Sequence, residues 1–262
     1  MRCTPRAVVV LAACSLGCIS SGARRPSTQV MSSVAPEDAD QVLAQYYEAI
    51  GGFDRLKSIT TRYLHGRYDE GTIHGTTEIF HERPQLRRVS LFTPQWDHLE
   101  GFDGQTWEYH RDAGQSKGHL VRDSIGGAAE LAQRRGSEFD ESFVDYRARG
   151  FQAKLMGRES LGELEAYRVR VTRTDNWTVE YYFEVHSHLL LAVRKAMPLH
   201  AQGPDVRSLT FYSDWRFVCG VLVPFAGEER NTDTGVVMST LKWDLIQFNV
   251  PIKRGDILPP PA

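Results

Sequence analysis

Cysteine is scarce in this chain and unevenly placed. Four cysteines occur among 262 residues, and Cys3, Cys14 and Cys18 all precede residue 20. Only Cys219 lies in the remainder, so the sequence offers that part neither a disulfide framework nor a cysteine pair for a metal. A bridge from Cys18 to Cys219 after export is the one pairing left open, although the apolar neighbours of Cys219 favour a small strand residue.

Long apolar runs and a surplus of one charge are also missing. No apolar run reaches the ~20 residues of a membrane-spanning helix, so we do not expect a helical membrane protein. The 31 basic and 33 acidic residues give a net charge of −2, which argues against a nucleic-acid-binding protein. Hydrophobic residues make up 41% of the chain, which is enough for a sizeable core.

The chain begins with the layout of an export signal. Two arginines in the first six residues precede a short apolar run at 7–13, which leads into Leu11-Ala12-Ala13-Cys14. This tetrapeptide resembles the lipobox of bacterial lipoproteins, in which two small residues precede the cysteine that receives diacylglycerol. We therefore predict a signal peptide at 1–13 and lipidation of Cys14. Lipidation of Cys18, or cleavage after Ala23 without lipidation, are the alternatives.

The segment after the predicted signal is rich in small and polar residues. We predict that residues 14–36 are a lipidated, flexible tether and that 37–262 is a single β-rich domain. By analogy with bacterial lipoproteins, Ser15 beside the lipidated cysteine favours retention in the outer membrane. The expected location is therefore the cell envelope, with the domain facing the periplasm.

Periodicity in the predicted domain changes from helical to strand-like. Apolar residues repeat at helical spacing between 37 and 50, and Gly51-Gly52 ends this helix. Two further helices are predicted at 128–135 and 139–146, between groups of strands. Consecutive strands with short turns predict an antiparallel meander, and the helices make the fold class α+β. Strands are predicted at 59–68, 73–83, 86–93, 106–109, 167–171, 179–185, 189–195, 206–218, 221–229 and 236–248.

Six short motifs resemble one known family when they are taken in order. They are Ala49-Ile50-Gly51-Gly52, Phe102-Asp103-Gly104-Gln105-Thr106-Trp107, Tyr167-Arg168-Val169-Arg170-Val171, Tyr181-Tyr182-Phe183, Tyr212-Ser213-Asp214-Trp215-Arg216 and Gly220-Val221-Leu222-Val223-Pro224-Phe225. Their order and spacing, over about residues 45–257, resemble the outer-membrane lipoprotein-sorting proteins of the LolA and LolB type. The resemblance implies a strongly curved antiparallel sheet, open like half a barrel, with helices covering its concave face. In the sorting carriers that hollow shelters the acyl chains of lipoproteins.

Aromatic residues in the strand patterns are the candidates for such an inner face. The chain has 5 Trp, 10 Tyr and 12 Phe. Alternation shows that one face of a strand is buried, but it does not show whether protein or ligand buries it. A filled core is therefore the alternative to a ligand cavity. The candidates for ligand contact are Phe80, Phe92, Trp107, Tyr109, Tyr181, Phe183, Phe211 and Trp215.

Motifs with catalytic or metal-binding chemistry are weak. Gly114-Gln115-Ser116-Lys117-Gly118 matches the hydrolase nucleophile elbow, but its polar surroundings indicate a hairpin tip. His186 and His188 share one strand face unless a turn begins there, and no third ligand is near in sequence. Arg87-Arg88 and Arg134-Arg135 are interpreted as solvated surface, with contact to anionic head groups as the alternative. We therefore predict no catalytic residues, no metal and no cofactor.

The sequence leaves three functions to compare. We expect a membrane-anchored lipoprotein that binds lipid, acyl chains or lipoproteins in an apolar cavity, as a carrier or acceptor in transport. The alternative is a non-catalytic module for envelope assembly or sensing, which would use the same scaffold with a filled core and a protein partner. A hydrolase is the third function. Nucleic acid is not an expected partner.

Overall fold

The computed structural model describes residues 35–122, 126–198 and 205–261. The predicted signal peptide, Cys14, Cys18 and the tether as far as residue 34 lie outside these ranges. The described helices are α1 (Ala39–Ala49), α2 (Phe53–Lys57), α3 (Gly127–Gly136) and α4 (Arg254–Ile257). The described strands are β1 (Thr61–Glu70), β2 (Ile73–Glu82), β3 (Leu86–Phe92), β4 (Trp96–Phe102), β5 (Thr106–Asp112), β6 (His119–Val121), β7 (Gln152–Leu161), β8 (Leu164–Thr172), β9 (Thr178–Glu184), β10 (Leu190–Pro198), β11 (Asp205–Val218), β12 (Val221–Asn231) and β13 (Val237–Phe248).

One curved antiparallel sheet contains all thirteen of these strands. Its order is β6-β5-β4-β3-β2-β1-β13-β12-β11-β10-β9-β8-β7, so the sheet ends at β6 and β7 and is not closed. Strands that follow one another in sequence are neighbours except β6 and β7, which lie at the two edges of the sheet, and β1 pairs with β13. This pairing joins the two halves of the chain into one sheet. The predicted α+β meander and its open, curved sheet are confirmed.

The first helix forms where helical spacing predicts it. The Asp38 side chain caps its start by accepting a hydrogen bond from the Gln41 backbone N–H, at 2.9 Å. Gly51 and Gly52, both with φ near +105°, end the helical run, since this backbone conformation favours glycine. The apolar stripe of α1, which includes Val42, is buried against β7 and β8.

Helix α3 spans the concave side of the sheet. It contacts β4 and β5 in one half of the sheet and β10 in the other. Gln133 anchors it, because its side-chain amide donates to the Glu108 carboxylate on β5 at 2.8 Å. The helices α1 and α3 therefore lie over the hollow of the sheet, in the position that the family resemblance implied.

The prediction of a helix at 139–146, after α3, is wrong. Residues 142–150 form consecutive turns, and Asp145 takes a left-handed backbone conformation with φ of 51° that a helix does not tolerate. Side chains bond to backbone carbonyl groups of this region in place of helical N–H groups. For example, Arg149 Nη1 donates to the Glu141 backbone carbonyl at 2.8 Å. Phe143 and Val144 are still buried, as their apolar spacing suggested, but they pack from an irregular segment.

The fourth helix covers the opposite side of the sheet. It is one turn long and contacts β2 and β3. Its only buried residue is Ile257, and Arg88 Nη1 on β3 donates to the Gly255 carbonyl at 3.2 Å. Within the described residues, none of the helices is long and apolar enough to cross a membrane.

Candidate functional site

A cavity of about 410 Å³ lies between the concave side of the sheet and the elements that cover it. We call the face of the sheet that lines this cavity the inner face, and the opposite face the outer face. Residues 138–144, Tyr46 of α1 and the end of α3 form the roof. The volume falls within the ~300–1,000 Å³ that is usual for small-molecule sites. Much of the wall is apolar, with Leu64, Ile79, Val193, Met197, Leu241, Trp243, Ile246 and Phe248.

Three of the eight predicted contact residues lie on the inner face. Tyr181 and Trp215 line the cavity directly. Phe183 follows Tyr181 on the same face of β9 and packs beneath the roof, with its ring centroid 5.1 Å from that of Tyr46 and 5.6 Å from that of Phe143. Their contact with a ligand remains a prediction.

The predicted inner-face position is wrong for Phe80 and Phe92. Ile79 and His81 line the cavity, so Phe80 between them points to the outer face. There it packs 4.8 Å from the Tyr63 ring and beneath the Arg88 guanidinium at 4.9 Å. Phe92 also points to the outer face, because Phe80 pairs with Arg88 and Phe92 lies four residues after Arg88 on β3.

The predicted inner-face position is also wrong for Trp107, Tyr109 and Phe211. The first two are buried with Leu99 in a separate cluster on the outer face of β4 and β5. Phe211 pairs with Ala192, whose neighbour Val193 lines the cavity, and it packs in a third cluster. A one-residue error in phase moves a side chain to the other face, because side chains alternate along a strand.

A row of basic residues across three strands was not predicted. Arg62 on β1 pairs with His81 on β2, and His81 pairs with Arg87 on β3. All three line the cavity. We call Arg62, His81 and Arg87 the basic row. The only signal in the sequence was the Arg87-Arg88 pair, whose two side chains lie on opposite faces of β3.

Hydrogen bonds fix the protonation of the histidine in the basic row. His81 Nε2 lies 2.8 Å from the Ser137 carbonyl, to which it can only donate, and its Nδ1 accepts from Arg62 Nε at 3.2 Å. Burial, reinforced by the charges of Arg62 and Arg87, lowers the pKa of His81 far below its ordinary 6.5. His81 is therefore neutral at physiological pH.

The two arginines of the basic row remain charged although they are partly buried. Burial lowers the pKa of Arg62 to about 10, and the nearby charge of Arg87 acts in the same direction. Burial also lowers the pKa of Arg87. Since Arg62 still titrates well above neutral pH, the inner face carries fixed positive charge beside apolar walls.

Two of the three acidic residues of the roof, Glu138 and Asp140, are paired with other bases, whereas Glu141 accepts from the Tyr181 hydroxyl at 3.1 Å. Glu138 Oε1 accepts from Arg173 Nη2 at 2.5 Å, and Glu138 Oε2 bonds Arg149. Asp140 bonds Arg83 and Lys57, and although burial opposes its ionisation, these two cations hold its pKa below the ordinary value. These ion pairs attach the roof segment to the sheet and to α2.

The weak catalytic and metal motifs do not form a site in the described residues. Ser116 is exposed in the connection from β5 to β6, with a strand and not a helix after it, so the nucleophile elbow lacks its required setting. His186 and His188 lie in the turn between β9 and β10. Among the residues that the structure describes, no three His, Cys, Asp or Glu side chains are grouped to hold a metal ion.

Comparison with known proteins places this architecture in a fold class. No family model matches the sequence, and no curated protein matches it significantly. A DUF1329 family protein from Desulfovibrio piger is 11% identical and superposes with a TM-score of 0.52 over 83% of this chain and 99% of its own. A LolA superfamily protein from Nitrosomonas europaea is 12% identical, with a TM-score of 0.51 over 84% of this chain and 97% of its own.

The chain therefore has the LolA-like fold, a single open sheet with its hollow covered by helices. This confirms the fold that the motif order implied. At these identities the likeness concerns the fold, and the ligand and role have to be argued from the residues of this chain.

Proposed function

We propose that this protein binds lipid or another acyl-chain ligand in the cavity, as a carrier or acceptor without catalysis of its own. The observation that carries the proposal is the cavity itself, because much of the inner face is apolar and protein side chains do not fill the space above it. An acyl chain gains about 0.8 kcal/mol for each buried methylene group. The LolA-like fold is consistent with this use.

Native mass spectrometry of the full chain, recovered from a bacterial periplasm, tests the proposal directly. We expect a bound mass in the phospholipid, fatty-acid or lipopeptide range that solvent extraction removes. A bare protein mass, together with no uptake of a fluorescent fatty acid, would reject lipid binding. That result would favour the assembly or sensing module, which needs no ligand in the cavity.

A substitution that fills the cavity provides a sharper test. Leu241 lines the cavity on β13, whereas Leu245 on the same strand is exposed on the outer face. Leu241→Trp should displace about two methylene groups of ligand, at ~0.8 kcal/mol each, and so raise the Kd of a fluorescent fatty acid about tenfold. Leu245→Trp adds the same bulk outside and should leave the Kd unchanged. Equal effects of the two substitutions would place the ligand elsewhere.

We further propose that the domain is anchored to the outer membrane and faces the periplasm. The basis is the sequence of residues 1–36, which predicts a signal peptide at 1–13, lipidation of Cys14 and a tether that ends at residue 36. Cys14→Ser should abolish incorporation of labelled palmitate when the full chain is expressed in a bacterial host. Labelling that persists in Cys14→Ser and is lost in Cys18→Ser would assign the lipid to Cys18.

A further inference from the structure

The basic row carries positive charge that the described residues do not neutralise. Arg62 bonds the neutral His81, and Arg87 makes no hydrogen bond or ion pair within the described ranges. The acids that affect them, Glu141 and Asp140 for Arg62 and Glu100 for Arg87, act only through space. Arg62 and Arg87 are partly buried, and a partly buried charge gains from an ionic partner because its contact with water is reduced. An anion inside the cavity would supply the missing partner.

The roof holds the basic row in place. The Phe139 ring lies against the Arg62 guanidinium, with 4.6 Å between the Arg62 Cζ atom and the ring centroid. His81 Nε2 donates a hydrogen bond to the Ser137 carbonyl, and His81 Nδ1 in turn accepts one from the Arg62 guanidinium. The backbone of Gly136 passes directly over Arg87, since a Cβ atom at this glycine would lie 3.3 Å from Arg87 Nη1. The Arg62 guanidinium is thus positioned before any ligand arrives, which lowers the entropy lost on binding, and Gly136 confines Arg87 from one side.

The basic row places two guanidinium side chains on one face of the sheet, one on each side of His81. Neighbouring residues of a paired row lie about 4.5–5.5 Å apart, so the Arg62 and Arg87 backbones flank His81 by roughly that distance on each side. Planar guanidinium groups bind carboxylates and phosphates through paired N–H donors. The apolar walls from β10 to β13 adjoin the row in the same cavity, with Val193, Leu241 and Ile246.

We propose that Arg62 and Arg87 bind the anionic head group of an amphiphile, a carboxylate or a phosphate, while its hydrocarbon chain lies on the apolar wall of the same cavity. His81 is a positioning residue that holds Arg62. This inference rests on the proposed function, because it adds the class of head group to the acyl chain. A head-group site of this kind would bind an anionic lipid more tightly than a neutral one.

Displacement of the uncharged fluorescent probe N-phenyl-1-naphthylamine from the full chain tests the head-group preference. The competitors are dodecanoate, dodecyl phosphate and dodecan-1-ol, which share a chain and differ in head group. We expect the two anions to displace the probe with affinities about tenfold or more above that of dodecan-1-ol, as bonds to charged groups imply. Inorganic phosphate should compete far more weakly than dodecyl phosphate, because it lacks the chain.

Substitutions then assign the preference to the basic row. In Arg87→Gln and in Arg62→Gln, the ratio of the Kd values for dodecan-1-ol and dodecanoate should fall about tenfold, towards one. Arg67→Gln is the matched control, because Arg67 is exposed on the same strand as Arg62. Its ratio should equal that of the unchanged protein. Arg87→Lys, which keeps the charge and loses the paired donors, should retain part of the preference and serves if Arg87→Gln does not fold.

The outcomes separate the two proposals. Equal affinities for the anions and dodecan-1-ol would overturn the head-group site and leave acyl-chain binding intact. Inorganic phosphate that binds as tightly as dodecyl phosphate would show a site for small anions and not for an amphiphile. No displacement by any competitor, with no lipid found by mass spectrometry, would overturn both proposals.

Discussion

Phe143→Ala is expected to lower the free energy of unfolding by about 3–5 kcal/mol. The Phe143 side chain is 1% exposed and lies at the centre of the largest core cluster. Its ring meets those of Tyr46 and Tyr181 edge-on, with centroids 5.4 and 4.8 Å away. The substitution therefore removes contacts to α1 and to β9 at once. Because both neighbours are large and held on separate elements, collapse into the space is expected to be incomplete.

Urea denaturation followed by circular dichroism measures this loss of stability. Phe217→Ala is the matched control, because Phe217 is 69% exposed and its truncation should change stability by no more than about 0.5 kcal/mol. A loss below about 1 kcal/mol for Phe143→Ala would mean that the roof segment does not pack against the sheet in solution. The cavity would then lack the cover on which the ligand proposals depend.

The sequence allowed prediction of the elements whose pattern is regular and whose ends are marked. The alternation in β8 and β9 and the capped, glycine-terminated α1 were recognised because one periodic face of each is buried. Four elements, β4, β6, β7 and α4, were missed. The strand β7 is interrupted by a bulge between Leu155 and Arg158, which breaks the period-2 pattern. Both β6, with three residues, and α4, with four, are too short to show a period.

The faces of the strands could not be predicted, because both faces of this sheet are buried in part. Trp107 is fully buried on the outer face, as is Tyr182 in another outer cluster. Alternation alone therefore gives two candidate inner faces for a strand. The choice depends on register with distant strands, for example the pairing of β1 with β13, which no local pattern encodes.

The basic row was missed for a related reason. Its members come from positions 62, 81 and 87, and only the registers of β1, β2 and β3 bring them together. Arginine in an alternating strand ordinarily indicates the solvated face. Here Arg62 and His81 share their strand faces with the apolar residues Leu64 and Ile79, and these faces line the cavity. A polar position on a strand can thus belong to the inner face when that face encloses a space and not a packed core.

His81 should make the stability of the protein depend on pH in a predictable direction. In the unfolded chain it titrates near its ordinary pKa of 6.5, whereas in the folded protein burial and the charges of Arg62 and Arg87 hold its pKa far lower. Below pH 6.5 the unfolded state therefore binds one proton more than the folded state. Folding stability falls as the pH falls, by about 1.4 kcal/mol per pH unit from this group, and above pH 6.5 the contribution is constant.

The substitution His81→Gln isolates this contribution, because a glutamine amide can still accept from Arg62 and donate to the Ser137 carbonyl but does not titrate. The difference in unfolding free energy between His81→Gln and the unchanged protein should shift by about 2–3 kcal/mol in favour of the variant between pH 6.5 and 4.5. Urea denaturation at several pH values measures it, with His119→Gln, an exposed histidine on β6, as the control. Parallel pH profiles for His81→Gln and the unchanged protein would mean that His81 is open to water and protons. In that case the roof does not shield the basic row, and the two arginines need no anion to balance them.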